Sequence, residues 1–200
     1  MCFNLILPVI LLSKYNLKGL IKMKKQDLFE LIEDYKPIDT NEIKSKKKIL
    51  DFICKHDNFA NRNNTSGHIT GAAWVVNRDR SKVLLTHHIK LDMWLQIGGH
   101  VEGEEHVLET ALREAREESG LTSLKLISNK VFDTDVHLFP QKGDFPAHFH
   151  YDIRFLFEAD ENEKINRQKE ESKDMKWIAL KDVPIYAKEN TILRMTNKIK

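Results

Sequence analysis

Glu114, Glu117 and Glu118 stand at positions i, i+3 and i+4 of the segment LETALREAREESGL. On a helix that spacing brings three carboxylates onto one face, where like charges raise the cost of ionising them all. A helix that needed only solubility would interleave lysines there. Carboxylates left facing one another suit a hard divalent cation, which supplies the missing counter-charge. Gly98 and Gly99 come shortly before the helix. They are expected to turn the backbone sharply between strand and helix, exposing a carbonyl that adds a further oxygen ligand. Oxygen-only ligation points to Mg2+ or Mn2+ and away from zinc. Such an ion also acidifies water bound to it.

A second set of candidates alternates along two strand-like stretches. In HFHYDIR, His148, His150, Asp152 and Arg154 fall on one face, and Phe149, Tyr151 and Ile153 on the other. In FDTDVH, Asp133, Asp135 and His137 oppose Phe132, Thr134 and Val136. A hairpin around FPQKGDFPA would make the two polar faces adjoin, giving His137, His148, His150 and Arg154 as candidate substrate-binding residues. The competing reading is an ordinary solvent-facing edge hairpin. A zinc site built on H-x-H is the minor alternative, with no cysteine to support it. His87, His88, Trp94 and Trp177 read as structural, although Trp94 would stack on a base if it lined the cleft. The lysines Lys46 to Lys48 read as a solvated face.

The elements that must position these groups follow from periodicity. Leu28, Leu31 and Ile32 mark a helix that Pro37 interrupts. Asp39 with Glu42 reads as the cap of a second helix, whose apolar stripe is Ile43, Ile49, Leu50 and Ile53. Past NRNNTSG, ITGAAWVV and KVLLT read as a hairpin, and WLQI as a short strand running into Gly98–Gly99. A helix from about Glu104 to Ser119 buries Leu108, Ala111, Leu112 and Ala115 and ends on Gly120 in a left-handed cap. Strands are expected at 131–138, 149–157 and 175–180, with a terminal helix from 189 to 200.

Read from Gly99, the spacing G-x5-E-x7-R-E-A-x-E-E-x-G-L runs through Glu105, Arg113, Glu114, Ala115, Glu117, Glu118, Gly120 and Leu121. It resembles the signature of the Nudix hydrolases, with one departure: Ala115 stands where the family usually has a bulky aliphatic. HHIKLDMWLQIGGHVE further resembles a group of bacterial Nudix proteins. The resemblance implies an α/β fold, a Nudix-type α/β/α sandwich with a mixed β-sheet, here preceded by a helical N-terminal extension. It implies hydrolysis inside the pyrophosphate of a nucleoside diphosphate derivative. By position, Glu114, Glu117 and Glu118 would hold the metal with the Gly99 carbonyl, and Arg113 and Glu105 would brace the loop and helix. Glu114 is the first choice of general base; a distal loop carrying Glu170 and Glu171 is the alternative. Two markers of substrate subgroups are missing: Val136 stands where one branch has proline, and His137 lies where another has tyrosine. The alternatives are an enzyme acting on RNA 5′ ends and a non-catalytic nucleotide sensor with the N-terminal helices as a partner-binding arm.

Of the 200 residues 41% are hydrophobic and 31% charged, as in ordinary globular proteins. The net charge of +2 offers no global basic field, so a small nucleotide is the expected partner and a stable nucleic-acid partner is not. Two widely spaced cysteines fit neither a disulfide framework nor a CxxC metal site, so a reducing cytoplasm is expected. LILPVILL (5–12) is too short to span a bilayer. Residues 1–22 read as a leader preceding a true start at Met23, with a weak interfacial anchor as the rival. The expected organisation is then a helical region at 23–64 and the hydrolase domain at 65–200. Oligomeric state has no signature in the chain.

Overall fold

GHITGAAWVVN has no polar face, and in the computed structural model, which describes residues 24–101, 106–141 and 143–199, it forms strand β1 (Gly67–Asn77), buried along its whole length. A strand hidden on both faces belongs at the centre of a sheet. One edge of β1 pairs in parallel with β7 (His148–Ala159) over all eleven residues, from Gly67↔Phe149 to Asn77↔Ala159. The other edge is divided. Residues 70–73 pair antiparallel with β4 (Ile97–His100), and residues 75–76 with β2 (Lys82–His88). Beyond β2 lie β3 (Met93–Leu95) and β8 (Ser172–Ala179), both antiparallel to it. Beyond β7 lie β5 (Lys125–Leu126) and β6 (Asp133–Phe139), also antiparallel. The mixed sheet is therefore forked, with shared strands opening onto different partners at each end.

Helices cover both faces. On one side α1 (Lys25–Asp34), α2 (Thr40–Lys55) and α3 (Val107–Ser119) share a core with the sheet, in which Leu28, Ile32, Ile49, Ile53, Ala111 and Ala115 meet Ile153, Phe155 and Phe157. On the other, α4 (Val183–Tyr186) and α5 (Asn190–Lys198) pack Val183, Ile192 and Met195 on Trp74, Val76, Val83 and Leu85. Pro37 separates α1 from α2, and the Asp39 carboxylate accepts the Glu42 amide hydrogen as a cap. The N-terminal helices are thus part of the main core and not a free arm.

A buried ionic knot joins α2, β6, β7 and α5. Asp133 accepts from Arg194 (2.8 Å), Lys198 (2.7 Å) and Arg154 (3.1 Å), and Lys198 also pairs with Glu42. Asp133 and Glu42 are fully buried. Burial opposes the charge of Asp133, yet Arg194 and the other cations win and hold its carboxyl below the usual range.

Two expectations are corrected. WLQI is not one strand: the chain changes partner at Gln96, so β3 pairs β2 and β4 pairs β1. The two-residue β5 was not anticipated, being too short to carry a period of two. The leader, LILPVILL and Met23 lie outside the described residues, and among those described no helix is long and apolar enough to cross a membrane.

Candidate active site

Small side chains bring α3 down onto the centre of the sheet. Ala111 and Ala115 are fully buried against it. At Gly71 an added Cβ would lie 2.5 Å from the Val107 carbonyl oxygen and 3.0 Å from Thr110 Cβ, so only glycine admits the helix this closely. The buried face is Val107, Thr110, Ala111, Ala115, Glu118 and Ser119, while Leu108 and Leu112 are only partly covered. The apolar stripe expected from sequence is thus rotated, and the rotation carries Glu118 inward. Gly120 ends the helix with φ +71° and donates to the Arg116 carbonyl. The amides of Asn166 and Gln168 donate to the carbonyls of Ser119 (2.8 Å) and Glu118 (2.9 Å), fastening the following loop to the helix end.

Gly98 and Gly99 do not form the sharp turn expected of them. They are strand residues of β4, paired with Ala72 and Gly71. Glycine is needed because of close approach, not because of turn geometry: a Cβ at Gly99 would lie 2.3 Å from Glu114 Oε1, and one at Gly98 2.6 Å from Ala72 Cβ. The bare backbone of Gly99 is the surface on which the Glu114 carboxylate rests.

The three glutamates occupy graded environments. Glu118 is 4% exposed and accepts from the Gly98 amide at 3.2 Å. The Glu114 side chain is 14% exposed and that of Glu117 is 56% exposed. Arg113 Nη1 bridges them, donating to Glu114 Oε1 at 2.9 Å and Glu117 Oε2 at 3.1 Å, while Nη2 donates to the His100 carbonyl at 3.0 Å. This guanidinium ties the acidic face of α3 to the end of β4. Burial pushes Glu118 up to about 8, with Glu114 and Glu171 adding to the effect against the Gly98 hydrogen bond. Burial also raises Glu114, partly offset by Arg113. Glu171 therefore stands close enough to act on both, and Glu170 is its exposed neighbour in the same loop. Glu105 lies outside the described residues. Carboxylates forced toward their neutral form are poised for a cation, and the all-oxygen set fits a divalent ion of the magnesium class.

Across the sheet, on the face away from α3, β6 and β7 make the expected hairpin pairing: Asp133↔Arg154, Asp135↔Asp152 and His137↔His150. The polar faces do adjoin, but the strip is mostly buried. Arg154 is 2% exposed, and its guanidinium is engaged by Asp133 (3.1 Å), Asp152 (2.9 Å), Asp135 (3.5 Å) and the Thr191 hydroxyl. A side chain so enclosed braces the fold through its two terminal nitrogens. Asp152 accepts from Thr70 and is held well below the usual carboxylate range; burial opposes this, but His137 and Arg154 prevail. His137, 40% exposed, lies 3.4 Å from Asp135; burial opposes its charge, yet Asp152 and Asp135 raise it.

His148 and His150 meet Nε2 to Nε2 at 3.1 Å. The parallel pairing of β1 with β7 sets His68 beside His150, with ring centroids 4.8 Å apart, and His100 reaches the same group. Burial pushes both His68 and His150 down to about 3, so both are neutral. His68 and His100 escaped the sequence reading because nothing local pairs β1 with a strand 82 residues away. A hollow of about 330 Å³ lies between α2 and the β6–β7 pair, lined by Lys48, Phe52, Val136, Phe149 and Tyr151, away from the acidic face.

The model of the NUDIX domain matches residues 67–197. No curated protein matches the sequence. Among solved structures, a NUDIX-family hydrolase from Clostridium perfringens is similar at 25% identity and a TM-score of 0.53, over 66% of this chain and 95% of that one. An Ap4A hydrolase from C. elegans shares the fold at 18% identity, TM-score 0.52, over 65% and 93%. A MutT protein from Methanosarcina mazei does so at 16%, TM-score 0.51, over 68% and 94%. With the family model spanning more than half of the sequence and the acidic helix seated on β1 and β4, the chain belongs to the Nudix family of hydrolases, which act on pyrophosphate bonds.

Proposed function

We propose that the protein is a Mg2+- or Mn2+-dependent hydrolase that cleaves the pyrophosphate linkage of a small nucleoside diphosphate derivative. The observation that carries this is Glu118, a buried carboxylate with two further carboxylates beside it and a proton affinity raised to about 8. Glu114, Glu117 and Glu118, with the Gly99 carbonyl, would hold the cation. When bound, that ion polarises the pyrophosphate and eases deprotonation of water.

The chain's own residues supply the rest. Arg113 fixes Glu114 and Glu117 relative to β4 through its contact with the His100 carbonyl. Glu114 is the first choice of base, because a carboxylate of raised pKa accepts a proton more readily than an ordinary one. Glu171, whose charge reaches Glu114 and Glu118, is the alternative, and Glu170 the weaker one. Glu105 is assigned a bracing role on its motif position alone. His137, at the open end of the polar strip, is the substrate-contacting member of that set; Arg154 keeps Asp152 and Asp135 in place.

The test is turnover of a panel of nucleoside diphosphate derivatives with Mg2+, comparing wild type with Glu117→Gln and Glu118→Gln. Cleavage by wild type and loss in both variants is the expected result. Nucleotide binding without turnover in all three proteins would replace the enzyme reading with a sensor.

A further inference from the structure

The buried histidines on the far side of the sheet are arranged as metal ligands. His68 on β1 and His148 and His150 on β7 are 1%, 7% and 9% exposed, and one ring nitrogen from each lies within 4.8 Å of the others. The Nδ1 of His148 faces the Pro146 carbonyl at 2.9 Å. A carbonyl only accepts, so Nδ1 carries the hydrogen and Nε2 presents its lone pair, the orientation that backbone carbonyls impose on metal-binding histidines. That Nε2 sits 3.1 Å from Nε2 of His150. Two nitrogens bound at 2.0–2.1 Å to one tetrahedral ion stand about 3.3 Å apart, so the pair is already at ligand spacing.

His68 supplies the independent observation. It is all but inaccessible, and among the described residues neither ring nitrogen has a hydrogen-bond partner of normal geometry, although the Asn64 backbone is near enough to influence it weakly. Buried polar groups are ordinarily satisfied, and leaving one unmet costs about 1–3 kcal/mol. The overlapping set His137, His150 and Asp152 is less suited, because Arg154 and Thr70 already occupy Asp152 and Asp135 occupies His137.

We propose that His68, His148 and His150 form a second metal site, specific for a borderline divalent transition ion such as zinc and closed to magnesium, that clasps β1 to the start of β7. An all-imidazole set suits zinc, cobalt or nickel, whereas magnesium requires oxygen ligands. The site lies across the sheet from the acidic face of α3 and does not depend on the reading of that face.

The test uses the full chain stripped of metal and titrated with Co2+ in a large excess of Mg2+, with Zn2+ uptake measured in parallel by elemental analysis. The expected result is one equivalent of cobalt with the intense visible band of a tetrahedral ion, unchanged in Glu117→Gln and lost in His148→Ala. Because His148→Ala also removes packing from the hairpin, imidazole nitrogen resonances of the wild type are followed as Zn2+ is added: His68, His148 and His150 should shift while His87 and His106 stay. A wild type without the band, a band kept by His148→Ala, a band lost in Glu117→Gln, or resonances of His68, His148 and His150 that stay in place would overturn the site.

Discussion

Replacing Glu118 with Gln should stabilise the metal-free protein at alkaline pH while removing its response to Mg2+. Burial raises the Glu118 carboxyl from 4.5 to about 8. Each factor of ten in proton affinity is worth about 1.4 kcal/mol, so ionising this group in the folded protein costs at most about 5 kcal/mol. Because the folded pKa lies above the unfolded one, the penalty is absent below pH 4.5, grows as pH rises through the interval and is complete above about 8. Relaxation and water entry reduce such ceilings, and about 2 kcal/mol should survive. Glutamine keeps the acceptor for the Gly98 amide and cannot ionise. Thermal melts in a chelator should give variant and wild type the same Tm near pH 5, and a variant melting about 4–8 °C higher at pH 8.5. Added Mg2+ should raise the wild type by about 2.7 kcal/mol at one hundred times its Kd and leave the variant nearly unmoved. A variant no more stable than wild type at pH 8.5 without metal would refute the claim that burial strains this carboxylate.

Glu117→Gln, at an exposed position, should change stability by less than about 0.5 kcal/mol while lowering kcat by roughly 100-fold or more, as read from melts and steady-state kinetics. Gly99→Ala should displace the Glu114 carboxylate, against which its Cβ would fall at 2.3 Å, and weaken Mg2+ binding measured by calorimetry with little loss of Tm. Gly71→Ala should lift the first turn of α3 from β1 and cost about 1–3 kcal/mol in denaturant unfolding. Asp133→Ala, which strands Arg154, Arg194 and Lys198, should cost about 3–5 kcal/mol and lower Tm by roughly 6–20 °C.

The acidic face of α3 was legible because i, i+3, i+4 spacing is a property of one helix, and the left-handed cap at Gly120 because its signals are adjacent in the chain. The alternation of HFHYDIR and FDTDVH likewise anticipated which side chains would adjoin. It could not tell that the shared face is buried, since α5, which contributes Thr191 and Arg194 to the knot, is distant in sequence. The inward setting of Glu118 depends on how α3 is rotated against β1, and the strand role of Gly98–Gly99 on a partner, Gly71–Ala72, well upstream. Tertiary pairing decided each of these, and a periodicity read within one segment holds no information about it.

The parallel ladder between β1 and β7 sets the order in which this molecule can assemble. Its rungs join residues 82 apart, and the intervening chain carries the acidic helix and five other strands. Closing a loop of that length costs about 4 kcal/mol of chain entropy before any rung is made. During synthesis, β1 emerges long before His148–Ala159 exists to meet it, so its apolar edge waits unpaired. Folding should therefore be slow for the chain's size, and a nascent chain halted before Ala159 should be a target for chaperones, with its glutamates made but their seat not yet built.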